Sequence, residues 1–275
     1  MKEMEEYRRE LAIQQAKYEK QYGVPKLTPG DVLRLKQQER EAEICAKCCG
    51  QTCAKPSNQY MELKVKPEQG QLYFVNEECE YGAAMRLTKE SRRAGVPARY
   101  ASKTYADYYE TADNALALKA AQEYNGAGAD WLYLFGGCGT GKTFLTSLLA
   151  KELIKRGKEV IFRDYATILE ELKESFGDSA KSTEKIFDKY KDCEVLILDD
   201  VGTGYFRDWG VATLHRLINH RYNEEKATII TSNYSLSQLY DRLSVQEEYA
   251  AARITSRLSE MCRFFKMGEV DWRYE

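Results

Sequence analysis

Residues 136–143 run Gly136, Gly137, Cys138, Gly139, Thr140, Gly141, Lys142, Thr143, and this octet restricts the fold more than any other stretch of the chain. It matches G-x-x-x-x-G-K-[ST], a loop that works only between a strand and a helix. Both neighbours fit. Residues 131–135 (WLYLF) are short, apolar and aromatic, as a buried strand should be, and residues 144–150 (FLTSLLA) have helical character. A strand, glycine loop and helix in that order aim a row of backbone N–H groups and a helix N-terminus at one anion. Gly136, Gly139 and Gly141 permit the tight path. Lys142 is placed to reach β- and γ-phosphates, and the Thr143 hydroxyl to ligate Mg²⁺. The expected ligand is a nucleoside triphosphate.

The rest of the chain supplies a matching architecture. From about residue 107, helical and strand-like stretches alternate. Short apolar runs at 131–135, 159–163, 194–198, 227–231 and 263–267 are separated by helical sequence near 112–124, from 166, near 208–224 and at 247–260. Strands of that kind between helices predict a mostly parallel sheet covered on both faces. Before it, residues 1–22 and about 29–44 are charged and helix-prone, and 60–65 and 71–75 are β-like around a turn at 68–70. Residues 86–106 are basic and broken by Gly95, Val96 and Pro97. The expected organisation is an N-terminal helical and cysteine-rich module at 1–85, a basic linker at 86–106 and an α/β nucleotide-binding domain at 107–275.

Charge and hydropathy narrow the class. The formal net charge of −2 over 275 residues is no signature of nucleic-acid binding, although a local patch could serve. No apolar run is long enough to cross a bilayer, and the N-terminus does not read as a signal peptide. The expected compartment is the cytoplasm. Eight cysteines without an export signal point to metal or redox chemistry before a disulfide framework.

Three stretches complete the candidate site. Residues 195–200 (VLILDD) form an apolar run ending in two carboxylates, Asp199 to hold Mg²⁺ or its water shell and Asp200 to polarise the attacking water. Thr231, Ser232 and Asn233 end the next strand, where the Asn233 amide would orient water and sense the γ-phosphate. Arg253 and Arg257 lie one helical turn apart, suited either to surface ion pairs or to a neighbouring subunit's triphosphate. Cys45 and Cys48 form a C-x-x-C pair. No histidine precedes His215, so with Cys53 and Cys79 they make a four-thiolate set for Zn²⁺, and Cys49 is left spare because adjacent cysteines rarely both ligate one ion. Cys138, Cys193 and Cys262 are dispersed and expected to be packing residues.

Taken together, GGCGTGKT, LILDDVG, ATIITSN and RITSRL, preceded by AGVPARY at 94–100, resemble the AAA+ family over residues 90–275. Specifically, the set resembles the DnaC/DnaI-type helicase loaders, whose core is shared with IstB-type transposition ATPases. The resemblance implies a P-loop AAA+ domain with a central parallel sheet flanked by helices. It implies Lys142 and Thr143 as the Walker A pair, Asp199 and Asp200 as the Walker B pair, and Asn233 as the first sensor. Arg257 matches an arginine finger and Arg273, loosely, a second sensor. The chain ends soon after the fifth strand, leaving no room for the helical lid of many relatives. Loaders of this kind are implied to form homo-oligomers through shared ATP sites, to bind single-stranded DNA and to engage the replicative DNA helicase. Lys173 and Phe176 in the insert after residue 166, and Tyr205 after Walker B, are the candidate DNA contacts. The DnaI pattern also carries an N-terminal zinc module. The expected function is therefore ATP-dependent loading of the replicative helicase, with slow hydrolysis. An IstB-like transposition ATPase and a nucleotide-gated scaffold with little turnover are the alternatives.

Overall fold

In the computed structural model, residues 2–48, 53–55, 59–177, 180–203 and 208–272 are described. The chain divides into two compact units, Met1–Arg86 and Leu87–Glu275.

The first unit opens with α1 (Lys2–Tyr22) and α2 (Pro29–Ala46). The start of α2 is written locally. Thr28 and Asp31 form a reciprocal capping box, and Pro29 occupies the first helical position, where its missing N–H costs nothing. An antiparallel hairpin follows, β1 (Met61–Glu68) and β2 (Gln71–Glu78). Tyr18, Val24, Leu27, Val32 and Leu35 form the core of this unit, with Val65, Leu72 and Phe74 of the hairpin packed against it. Lys55 is buried and paired with Glu41 at 3.2 Å, and it also donates to the Met61 carbonyl, tying α2 to the start of β1. The division between the units falls within α3 (Glu80–Ala94).

The basic stretch 86–106 is more than a connector. It holds the second half of α3, then two single 3₁₀ turns at Ala98–Tyr100 and Tyr105–Asp107. Val96 is buried in one of the two cores of the second unit. Gly95 explains the local sequence: its φ is +97°, and a Cβ there would lie 2.2 Å from the Phe162 carbonyl oxygen.

The second unit continues with α4 (Ala115–Glu123), β3 (Trp131–Phe135), α5 (Lys142–Lys155), β4 (Val160–Asp164), α6 (Tyr165–Glu174) and α7 (Ala180–Asp192). After these come β5 (Val195–Asp199), α8 (Asp208–Asn223), β6 (Ala227–Ser232), α9 (Leu236–Ser244), α10 (Glu248–Met261) and β7 (Cys262–Lys266). All five strand-like runs become strands of one parallel sheet in the order β4-β5-β6-β3-β7. Alternation along β3 feeds two cores: Trp131 and Tyr133 join one face with Leu196, Leu198 and Ile230, while Leu132 and Leu134 join the other with Val195, Ile197 and Ile229. Helix α9 had no counterpart in the sequence analysis. Its Ser235–Gln238 capping box was nevertheless present in the sequence.

A buried cation fastens one end of the sheet. Arg221 of α8 is fully buried and donates to the carbonyls of Tyr190, Lys191, Cys193 and Ala227 and to the Thr228 hydroxyl. One planar guanidinium thereby joins the end of α7 to β6, with every bond directed at a neutral acceptor.

Candidate nucleotide site

The site lies at the carboxyl ends of the parallel strands, where open α/β sheets collect their ligands. Between β3 and α5 the glycine loop turns under the segment that follows β7. Gly137 N–H donates to the Gly268 carbonyl at 3.1 Å, and Trp272 N–H donates to the Gly139 carbonyl at 3.3 Å. Gly139 has a φ of +75°, and a Cβ there would fall 1.7 Å from an Asp271 carboxylate oxygen. Only glycine fits, for conformational and steric reasons together. Lys142, at the start of α5, is 7 % exposed and folds back over the loop, donating to the Gly136 and Gly137 carbonyls at 2.8 and 2.6 Å.

Thr143 and Asp199 meet across the sheet. The Thr143 hydroxyl lies 3.1 and 3.0 Å from the two Asp199 carboxylate oxygens, so the start of α5 and the end of β5 present adjoining hard oxygen donors. That donor set fits Mg²⁺, which favours carboxylate, hydroxyl and phosphate oxygens. Asp199 is almost fully buried. Burial raises its carboxyl pKa, opposed by hydrogen bonds from Thr231 and Thr143, while Asp200 and Asp164 push it further up.

Asp200 has a φ of +57°, in the left-handed region. The turn aims its carboxylate into a cleft of about 350 Å³ lined by residues 138–144, Asp200, Thr231 and Asn233. There Asp200 accepts from the Thr203 hydroxyl at 2.8 Å and from the Asn233 amide at 3.2 Å. The glycine loop, the Asp200 carboxylate and the Asn233 amide thus converge on one cleft.

The same cleft is lined by residues that the sequence analysis did not place in the site. The Tyr100 ring stacks on Phe144 at 4.8 Å and 15°, and the Arg99 guanidinium covers Tyr100 at 4.6 Å. Trp272 closes another side. A short-range clue existed for Phe144, which directly follows the loop. Nothing in the spacing of Arg99, Tyr100 or Trp272 pointed to a contact so far along the chain.

The remaining candidates lie elsewhere. Arg257 sits on α10 with its guanidinium 5.3 Å from the centre of the Tyr222 ring, donates to the Arg253 carbonyl and does not line the cleft. Phe176 borders a separate cleft of about 320 Å³ between α6, α7 and α8. Phe176 is exposed and edge-on to Trp209 at 5.4 Å, and the Lys173 ammonium lies 5.6 Å from the centre of the same indole. Tyr205 and Arg273 lie outside the described residues.

In the first unit, the Cys53 sulfur accepts the Tyr60 N–H at 3.3 Å and the Cys79 sulfur accepts the Gly82 N–H at 3.3 Å. Hydrogen bonds from the Tyr60 and Lys55 backbones hold the Cys53 thiol below its ordinary pKa. Cys45 lies against the Lys55 ammonium, and Cys48 is exposed just beyond α2. The expected four-thiolate arrangement is not assembled: among the described residues, no three His, Cys, Asp or Glu side chains stand together as a metal site. Cys49 and its neighbours through Thr52 lie outside the described residues. Also among the described residues, no helix is long and apolar enough to cross a membrane.

Known proteins resemble this chain in sequence and fold. The family model described as IstB-like ATP binding protein matches residues 57–274. The replicative helicase loader DnaC of Escherichia coli (strain K12) is 24% identical over 182 residues, covering 64% of this chain and 74% of DnaC. The replicative helicase loader DnaI of Bacillus subtilis (strain 168) is 31% identical over 147 residues, covering 50% of this chain and 46% of DnaI. The crystal structure of DnaI superposes with a TM-score of 0.54 at 27% identity, over 62% of this chain and 93% of that one. That of the DnaC helicase loader gives 0.51 at 27%, over 62% and 99%. The chain is homologous to the DnaC and DnaI helicase loaders, and it belongs to the IstB-like ATP-binding protein family.

Proposed function

We propose that this protein is an ATP-dependent loader of the replicative DNA helicase onto single-stranded DNA. The observation that carries this reading is the convergence of Lys142, Thr143, Asp200 and Asn233 on one cleft, with Asp199 hydrogen-bonded to Thr143 behind it, in a chain homologous to two helicase loaders.

In this reading the loop amides of 136–143 and the N-terminus of α5 bind the triphosphate, and Lys142 exchanges its carbonyl partners for β- and γ-phosphate oxygens. Mg²⁺, held by Thr143 and Asp199, neutralises charge on the phosphates when bound. Asp200 accepts a hydrogen bond from the attacking water, and Asn233 fixes the orientation of that carboxylate. The Asp200 side chain is shorter than the glutamate many relatives use, which supports slow turnover suited to a timing switch. Arg257, remote from the cleft of its own chain, acts on the triphosphate of a neighbouring copy. Arg273 serves as the second sensor.

Single-stranded DNA docks on Lys173, Phe176 and Tyr205. This is supported by the exposure of Phe176 and by the cation and second aromatic beside it. The module at 1–85 contacts the helicase, and it would hold one Zn²⁺ only by drawing Cys45, Cys48, Cys53 and Cys79 together, since they are not assembled among the described residues. Support comes from the C-x-x-C spacing and from the backbone N–H donors on Cys53, which favour its thiolate.

Co-purification with the replicative helicase, with and without ATP and with Lys142→Ala, tests the assignment. Capture that depends on nucleotide supports a loader. Absence of capture in every nucleotide state sinks it. The match of the IstB-like model to 57–274 favours a second reading, an ATPase serving a transposase, and capture of a transposase in the same assay would select that one.

A further inference from the structure

One hydroxyl joins the two acidic residues of the site. Thr231, the fifth residue of β6, is 1 % exposed. Its Oγ1 donates to an Asp199 carboxylate oxygen at 2.6 Å and accepts the Asp200 N–H at 2.8 Å. Its own carbonyl accepts the Val201 N–H at 2.8 Å.

The arrangement follows from the turn at Asp200. The β5–β6 ladder is regular through the pairing of Leu198 with Ile230. At Asp200 the backbone enters the left-handed region, and two residues, Asp200 and Val201, then direct their N–H groups at the single residue Thr231. A strand carbonyl takes one of them. The other would go unpaired beside an apolar side chain. The Thr231 hydroxyl accepts it. Having a single proton, that hydroxyl then donates to Asp199 and favours the ionised carboxylate against the burial that opposes it.

We propose that Thr231 is a positioning residue for nucleotide hydrolysis: its hydroxyl sets the Asp199 carboxylate for Mg²⁺ and holds the Asp200 turn that aims the second carboxylate at the attacking water. The proposal rests on the ATPase reading above and assigns Thr231 no contact with nucleotide. Sensor and Walker B residues are thereby mechanically coupled, because Thr231 and Asn233 stand two residues apart and bind Asp199 and Asp200 respectively.

The test uses the full-length protein and a fluorescent ATP analogue, titrated with and without Mg²⁺, beside steady-state hydrolysis. Thr231→Val keeps the shape and removes the hydroxyl. It should lower kcat by about 10–100-fold and raise the Mg²⁺ concentration at half-maximal analogue binding by about 10-fold, the range seen when groups that orient metal ligands are removed. Analogue affinity without Mg²⁺ should stay at the wild-type value. Thr231→Ser should restore both quantities, which a purely packing role for the methyl group would not allow. If Thr231→Val does not fold, Thr231→Ala against Thr231→Ser decides by the same titration. Wild-type Mg²⁺ dependence in a hydroxyl-free variant, or a serine variant as impaired as valine, overturns the proposal. Wild-type protein that binds the analogue without hydrolysing ATP would instead remove the ATPase reading, and the Mg²⁺ titration would still decide the role of Thr231.

Discussion

The phosphate loop and the cysteine-bearing hairpin differ in what stands behind them. The loop springs from β3, a strand paired on both edges and buried on both faces, and it runs into α5, whose inner face is packed from Leu145 to Ile154. The hairpin has two strands. One face covers a small core, and the other leaves Tyr73 and Val75 exposed. A two-stranded ribbon is marginal in water without further support, whereas a strand inside a five-stranded parallel sheet cannot shift without disturbing both cores. Rigidity in the first case comes from packing. In the second it must come from something added, such as the Lys55–Glu41 pair or a bound ion.

The contrast can be broken most forcefully at Arg221. Replacing it with Met leaves buried carbonyls of Tyr190, Cys193 and Ala227 without their donor. The second unit should lose about 3–5 kcal/mol, as when one partner of a buried polar network is removed. All three tryptophans, Trp131, Trp209 and Trp272, lie in that unit, so denaturant titration followed by tryptophan fluorescence reports it alone. An unchanged midpoint would show that the guanidinium is dispensable.

Lys142→Ala should reduce kcat/KM for ATP by about 100-fold or more, the scale on which transition-state charge is stabilised. Metal content and folding of the first unit should not change. Hydrolysis within a few-fold of wild type would remove Lys142 from the site.

Cys79→Ser acts on the other side of the comparison. If one Zn²⁺ supports the hairpin, the variant should lose the bound zinc and about 2–3 kcal/mol of first-unit stability when zinc stands near 100-fold over its Kd. Nucleotide affinity should not move. Elemental analysis and proteolysis of the first unit check this, and wild-type protein purified without zinc yet resistant to proteolysis would contradict it.

The smallest effect concerns pH. Asp199 and Asp164 both have carboxyls raised by burial. A folded pKa above the unfolded one means that the folded state holds its proton more tightly. The stability this contributes is complete below the ordinary value of 3.8 and is lost as pH rises through the raised one. At neutral pH Asp199 therefore costs stability for the sake of the site. Asp199→Asn should raise Tm at pH 7 by about 2–4 °C and flatten the acid-side pH dependence while abolishing hydrolysis. A lower Tm would show that the ionised carboxylate is itself holding the domain together.

Legibility in the sequence followed the distance over which each feature is encoded. The five strands were readable because each is a contiguous apolar run, although β4 and β5 begin and end one residue later than the pattern suggested. That shift brings Asp199 into its strand. Helix α3 was obscured because its basic residues, Arg86, Lys89, Arg92 and Arg93, look like a linker when charge alone is weighed. The expected zinc set was a reading of spacing alone, and four thiols separated by a hairpin converge only if the intervening chain brings them together, which it does not among the described residues.

By itself, the sequence determined a strand–glycine loop–helix unit, a parallel sheet around it and a carboxylate pair at the end of a neighbouring strand. Neighbouring residues constrain one another directly through the backbone, so a local pattern suffices for these. Tertiary structure alone decided that Tyr100 stacks on Phe144, that Trp272 closes the cleft, and that the Thr231 hydroxyl holds Asp199 and Asp200 across 32 and 31 positions of chain. The Thr231 contacts exist because β6 lies beside β5 and because Asp200 turns left-handed, and neither fact has a local signature.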